Sequence, residues 1–163
     1  MSALFTAGFR CAAVALIGAS AFSGAAVHAQ NPARPMGGGP AFMTPAVMAE
    51  GNFQQAEAPV AGSFTIKTVG GRQMLTFSSD FKTNDKAPDL KVIFSPSKTP
   101  LASTKAPAFP LKSGSYTILS ALKSSSGAQS YEIPASINLK AQGSVLIWCK
   151  QFNATMAWAP LKF

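Results

Sequence analysis

The sequence predicts an all-β domain, either an antiparallel β-sandwich or an open barrel of about seven to eight strands. Apolar and polar residues alternate in short runs from residue 51 onward, as in strands that bury one face. Clusters of glycine, serine and proline separate these runs, and no window shows the 3.6-residue period of an amphipathic helix.

The first two strands form a predicted hairpin. Phe64 and Ile66 alternate with polar residues, and the pair Gly70-Gly71 that follows is a signal for a two-residue turn. Leu75 and Phe77 continue the alternation on the returning strand. A third strand then carries its apolar residues at every second position, namely Leu90, Val92 and Phe94.

Residues 96–114 contain four prolines and are predicted to form a long loop. A fourth strand follows around Ile118, a serine-rich turn spans residues 124–127, and a fifth strand ends at Pro134. The apolar residues that mark these two strands are Tyr116, Ile118 and Leu122, and then Tyr131 and Ile133.

The last two strands differ in pattern. Residues 145–149 are apolar at both odd and even positions, which indicates a central strand covered on both faces. In the final strand, alternation places Met156 and Trp158 on the same face, together with Phe152 and Ala154.

Composition excludes several classes of protein. The chain has 163 residues, a formal net charge of +8, two cysteines and one histidine. Only 12% of residues are charged, against about 25% in a typical domain. These counts exclude a disulfide-stapled scaffold, a Cys/His zinc module and a multi-domain enzyme.

Residues 1–29 are predicted to be a secretory signal peptide. Arg10 supplies a positive charge near the N-terminus, and residues 11–27 that follow are uncharged. The small residues Val27 and Ala29 favour cleavage after Ala29. The alternative is an uncleaved anchor, but the uncharged span is short for a bilayer. Cleavage predicts a periplasmic or extracellular protein with no stable membrane span, with no histidine left and with Cys149 as its one cysteine.

Residues 30–50 are predicted to be a flexible linker, since they carry four prolines and a run of three glycines. This stretch also contains Met36, Met43 and Met48, whose thioethers suit Cu(I), but three thioethers without histidine or cysteine are a thin ligand set. Residues 51–163 form the predicted β domain, and we expect no metal site.

Asp80, Asp85 and Asp89 lie close together in the sequence, which allows a calcium loop. Their spacing fits no EF-hand, and turn formation by Asn84 and its neighbours is the favoured interpretation. The lysines are spread at intervals of about ten residues without an arginine stripe, so we expect no nucleic-acid binding.

Cys149 is the candidate reactive residue, as a redox thiol or a cofactor ligand. It shares a strand face with Val145 and Ile147, opposite Trp148. An adjacent ammonium lowers the pKa of a thiol, but Lys150 is predicted to point to the other face. The alternative is that Cys149 is a small, inert core residue.

Four segments of the sequence resemble the DM-thirteen domain family, known as the electron-transfer DM domain. The most specific are Tyr-Glu-Ile-Pro at 131–134 and Val-Leu-Ile-Trp-Cys at 145–149. The others are Pro-Asp-Leu-Lys-Val at 88–92 and Ala-Pro-Leu at 159–161, and the resemblance extends over about residues 51–161.

The resemblance implies a β-sandwich, a bacterial exported single-domain protein, and electron transfer through Cys149 as a bare thiol or as a ligand to a prosthetic group such as haem. The sequence departs from the family in two places. Residues 55–62 lack the histidine that many members carry, and Met156 and Ala157 replace the usual Phe and Gly or Ser. The first departure argues against a Cys/His ligand pair.

Three functions therefore compete. The first is a periplasmic redox module that acts through Cys149 on a redox or envelope protein partner. The second is a non-catalytic envelope module that binds a partner, with Cys149 in its core. The third, ranked last, is a histidine-free hydrolase that uses carboxylates such as Asp85 and Asp89.

Overall fold

The computed structural model describes residues 46–163, which fold into nine strands and two short 3₁₀ turns. The strands are β1 (Val47–Asn52), β2 (Gln54–Gln55), β3 (Ser63–Val69), β4 (Arg72–Phe77), β5 (Leu90–Ser95), β6 (Thr117–Ala121), β7 (Gln129–Ile133), β8 (Ser144–Cys149) and β9 (Ala154–Pro160). The predicted all-β class is confirmed.

The N-terminal predictions fall largely outside this part of the chain. The signal peptide at 1–29 and the linker up to residue 45 lie outside the described residues. β1 begins at Val47, inside the stretch for which the sequence predicts linker, and it pairs with β3. Within residues 46–163, no helix is long and apolar enough to cross a membrane.

Two antiparallel sheets make up the domain, and they do not close into a barrel. The four-stranded sheet has the order β1-β3-β4-β7, and the five-stranded sheet has the order β2-β9-β8-β5-β6. The predicted hairpin joins β3 to β4, where Gly70 and Gly71 have φ angles of 56° and 79° that favour glycine. Of the two predicted architectures, the sandwich is the one found.

The main core lies between the two sheets. One apolar cluster draws on both of them, with Phe64 and Leu75 from the smaller sheet and Val92 and Ile147 from the larger. Five aromatic rings form a group within it, with contacting centroids 4.6–5.8 Å apart. They belong to Phe53, Phe64, Phe77, Phe81 and Tyr131.

A second apolar cluster covers the outer face of the larger sheet. Leu146 and Trp148 of β8 pack there against Leu111, which belongs to the predicted long loop. β8 lies between β5 and β9, and all six of its residues are buried. The prediction that this strand is central and covered on both faces is confirmed.

The expectation for the last strand was wrong for two residues, Trp158 and Phe152. Ile147 pairs with Ala157 and Trp148 pairs with Thr155, so Met156 is the extra residue of a β-bulge. The bulge reverses the alternation, and Trp158 joins the outer cluster while Met156 stays in the main core. Phe152 lies in the turn before β9 and is 64% exposed.

Tyr131 contributes a polar group to the core. Its hydroxyl accepts a hydrogen bond from the backbone N–H of Lys123 (3.0 Å) and donates one to Oε1 of Gln129 (2.7 Å). Burial raises the pKa of Tyr131 above its ordinary value, and the bond from Lys123 offsets part of that rise.

Stability is expected to fall as the pH rises above about 10, because Tyr131 ionises in the unfolded chain before it ionises in the folded one. The variant Tyr131→Phe should lose about 1 kcal/mol at neutral pH, through its missing hydrogen bonds, and should show a smaller alkaline decline. Urea unfolding of both proteins at pH 7 and at about pH 11 checks this. An equal alkaline decline in both proteins would contradict it.

Candidate functional site

Cys149 is the last residue of β8 and lies in the main core. It pairs with Leu90 of β5 and with Ala154 of β9, and its exposed fraction is 0%. It belongs to the same cluster as Val145 and Ile147, whereas Trp148 belongs to the outer cluster. The strand face predicted for Cys149 is therefore confirmed, and its sulfur is enclosed.

A short segment before β5 covers the sulfur. The Cys149 thiol donates a hydrogen bond to the backbone carbonyl of Pro88, with a distance of 2.8 Å between Sγ and the oxygen. We call residues 84–89 the covering segment. The bond uses the proton of the thiol, which a nucleophilic thiolate has lost, so reaction requires this bond to break.

Three interactions hold the covering segment. The side chain of Asn84 accepts a hydrogen bond from the backbone N–H of Lys86 (2.9 Å), which is the turn chemistry that the sequence predicts. Asp89 has a φ angle of 50° and forms an ion pair with Lys91. Its carbonyl accepts a hydrogen bond from the backbone N–H of Lys150 (3.1 Å). The first contact lies within the segment, and the two contacts of Asp89 tie it to β5 and to the turn after β8.

Lys150 does not share the environment of the thiol. It lies exposed in the turn that follows β8, while the sulfur of Cys149 faces the core. Its backbone, rather than its ammonium group, holds the covering segment in place.

A haem group does not fit this arrangement. A haem ligand must present its sulfur to an open space large enough for the macrocycle, and the Cys149 sulfur is enclosed by core residues and by Pro88. Within residues 46–163, no three histidine, cysteine or acidic side chains are grouped so as to hold a metal ion. The described residues therefore contain no group of ligands that would support a calcium loop at Asp80, Asp85 and Asp89.

The sequence model of the electron transfer DM13 family matches residues 52–161. The chain belongs to this family. The match runs from β2 through β9 and includes both Cys149 and the covering segment, so the resemblance noted in the sequence is confirmed for the whole β domain except β1. No significant match was found among curated proteins or among solved structures.

Nothing in the sequence indicated that Pro88 contributes to the candidate site at Cys149. Its carbonyl lies 61 residues from Cys149 along the chain, and a backbone carbonyl leaves no trace in the residue pattern. The Pro-Asp-Leu-Lys-Val segment that carried the family resemblance was the available signal, because it contains this residue and enters β5 opposite Cys149.

Proposed function

We propose that this DM13 protein is an exported electron-transfer module that acts through the thiol of Cys149. Two observations support the proposal: the family match over residues 52–161, and the position of Cys149 under a single surface segment. If the signal peptide is removed, no other thiol is left in the chain.

The chemistry that a lone thiol performs is exchange with a disulfide of a partner protein. The Cys149 thiolate attacks one sulfur of that disulfide, a mixed disulfide forms, and the other sulfur leaves as a thiolate. The proton of Cys149 passes to water. A second thiol from a partner then resolves the mixed disulfide and returns Cys149 to its reduced form.

Access to the sulfur requires movement of the covering segment. Pro88 and Asp89 are exposed, so only this one layer of chain separates the sulfur from solvent on that side. Opening the segment breaks the hydrogen bond from Cys149 and the bond between Lys150 and Asp89, while the strand ladder stays intact. Local opening of this kind costs less free energy than global unfolding.

Opening of the covering segment can be followed by the rate at which Cys149 in the native protein reacts with an aromatic disulfide reagent. We expect the variant Pro88→Gly to react faster than the natural protein without a matching loss of stability to urea, because glycine frees the backbone of the covering segment. A matched control is Pro134→Gly, which loosens an exposed proline after β7, in the other sheet. It should leave the rate unchanged.

Trapping a mixed disulfide between Cys149 and glutathione tests the redox role itself. The protein incubated with oxidised glutathione should gain one glutathione by intact mass, and Cys149→Ala should gain none. A reaction rate that follows only the free energy of global unfolding, in the natural protein and in both proline variants, would contradict the proposal.

The full burial of Cys149 favours a second candidate function, a non-catalytic envelope module that binds a partner. In this case Cys149 is a core residue. Cys149→Ser would then cost on the order of 1–3 kcal/mol if its hydroxyl lost a partner, and less if it kept the bond to Pro88. Partner binding would be unaffected by the substitution, which separates this function from the redox one.

Export is the remaining part of the proposal. The mature protein is expected to begin at Gln30 and to reside in the periplasm or outside the cell. The intact mass of the protein from the exported fraction checks this, since a mass that includes residues 1–29 would exclude cleavage.

A further inference from the structure

Met48 is the extra residue of a β-bulge at the start of β1. Its neighbours Val47 and Ala49 pair with two consecutive residues of β3, Lys67 and Ile66. No residue of β3 is therefore left to stand opposite Met48. The side chain of Met48 is half-buried and packs against the main core, and it also lines two surface clefts of about 630 and 280 Å³. It is thus anchored by the core and borders solvent.

A hydroxyl group is hydrogen-bonded to the sulfur of Met48. Oγ1 of Thr68 donates to Sδ of Met48 over 3.0 Å, and this is the one hydrogen bond to a thioether found among residues 46–163. The bond lies at an exposed position, near the end of β3 that leads into the turn at Gly70-Gly71. Small molecules in solution can therefore approach the sulfur and its hydroxyl partner.

The hydrogen bond makes the two sides of this sulfur different. A thioether sulfur has two lone pairs, and addition of oxygen to one or to the other gives opposite sulfoxide epimers. In Met48 the hydroxyl of Thr68 occupies one lone pair, and the other stays free. Because the core and the hydroxyl both hold the side chain, the free lone pair keeps one orientation in the folded protein.

We propose that Met48 is a site of oxidation by peroxide that yields mainly one sulfoxide epimer. The free lone pair attacks one oxygen of hydrogen peroxide, so that an S–O bond forms while the O–O bond breaks. The sulfur loses two electrons, and the second oxygen leaves as hydroxide and takes the proton of the first to become water. Thr68 is a positioning residue, since it directs the attack and exchanges no atom with the oxidant. A reductase specific for that epimer would restore the thioether.

Met74 provides a matched comparison in the same sheet. It is also half-buried, and it lies on β4 between Lys67 and Glu132 of the neighbouring strands. No described hydroxyl bonds to its sulfur, so peroxide should give both of its epimers in near-equal amounts. Met48 lies outside the residues matched by the family and the site uses no atom of Cys149, so its failure would leave the redox proposal standing.

The test begins with the exported protein in dilute hydrogen peroxide. After digestion, mass spectrometry assigns each sulfoxide to its residue, and the peptides are treated separately with two methionine sulfoxide reductases, each of which acts on one epimer. At Met48 one epimer should exceed the other by about fivefold or more, the ratio that a single hydrogen bond supports. Met156 is 4% exposed in the main core and should react last.

Two substitutions of Thr68 separate its hydroxyl from its shape. Thr68→Val keeps the branched side chain but lacks the donor, so the epimer ratio at Met48 should fall towards equality while that at Met74 stays the same. Thr68→Ser keeps the hydroxyl and should keep the preference. Equal epimers at Met48 in the natural protein, an unchanged ratio in Thr68→Val, or oxidation of Met48 only under conditions that unfold the protein would overturn the proposal.

Discussion

Replacing Asn153 with alanine is expected to lower the free energy of unfolding by roughly 3 kcal/mol, because the side chain ties the long loop to the larger sheet. Its Oδ1 accepts hydrogen bonds from the backbone N–H of Leu111 and from Nε1 of Trp148, both at 3.0 Å. Its Nδ2 donates to the carbonyl of Leu111 (3.1 Å).

The expected loss has two physical causes. Trp148 and Leu111 are 4% and 8% exposed, so their N–H groups would be left buried without an acceptor. Asn153 also has a φ angle of 49°, in the left-handed region that asparagine tolerates better than alanine.

Two further variants separate these causes. Asn153→Gly removes all three hydrogen bonds but adopts the same φ without strain, so it should be more stable than Asn153→Ala by about 1 kcal/mol. Asn153→Asp keeps the acceptor and should lie between Asn153→Ala and the natural protein. Guanidinium unfolding gives the three values, and an alanine variant within about 0.5 kcal/mol of the natural protein would refute this account of the loop.

Gly143→Ala is the second substitution with a large expected effect, about 3 kcal/mol. A Cβ atom at this position would lie 2.5 Å from the carbonyl oxygen of Pro96 and 2.6 Å from the backbone nitrogen of Lys98. These are backbone atoms and cannot rotate away. The start of β8 would have to separate from the loop. This would strain the hydrogen bond that the Gly143 N–H donates to the carbonyl of Ser95 (2.7 Å) and the one that the Gly143 carbonyl accepts from the N–H of Leu161 (2.8 Å).

The matched control is Gly114→Ala. Gly114 has a φ angle of 81°, but no atom lies within 4 Å of the Cβ that alanine would add. This variant should cost about 1 kcal/mol from the backbone conformation alone. Urea unfolding midpoints with unchanged slopes measure both effects, and equal losses in the two variants would show that close approach at Gly143 does not matter.

Most of the strand pattern was predictable because alternation is a local property. Phe64, Ile66, Leu75 and Phe77 face the core as their spacing indicates, and the glycine pair forms the predicted turn. The sequence did not reveal β2, whose two residues are both exposed, so no alternation marks it. β1 was overlooked because proline and glycine dominate the stretch before it.

The bulge in β9 shows why the position of a strand can be predicted correctly while the direction of its side chains is predicted wrongly. Nothing within residues 154–160 indicates that Met156 is unpaired, because the extra residue exists only relative to β8. One inserted residue reverses the direction of every side chain beyond it. Trp158 therefore belongs to the outer cluster and, contrary to the prediction from the sequence, does not share the face of Met156.

The candidate site was predictable only in part. The sequence identified Cys149 and the strand face on which it lies, but it gave no indication that the carbonyl of Pro88 accepts a hydrogen bond from the thiol. The two residues are brought together only by the pairing of β5 with β8.

The amino-acid sequence by itself determined the all-β class, the hairpin at Gly70-Gly71 and the face of β8 that carries Cys149. These features depend on side-chain alternation and turn preference among neighbouring residues. Only the tertiary structure decided that the sulfur is enclosed, that Pro88 accepts its hydrogen bond and that β9 carries a bulge. The reason is physical: each of these depends on which distant segments pack together, and the energy of that packing is not encoded in any short stretch of chain.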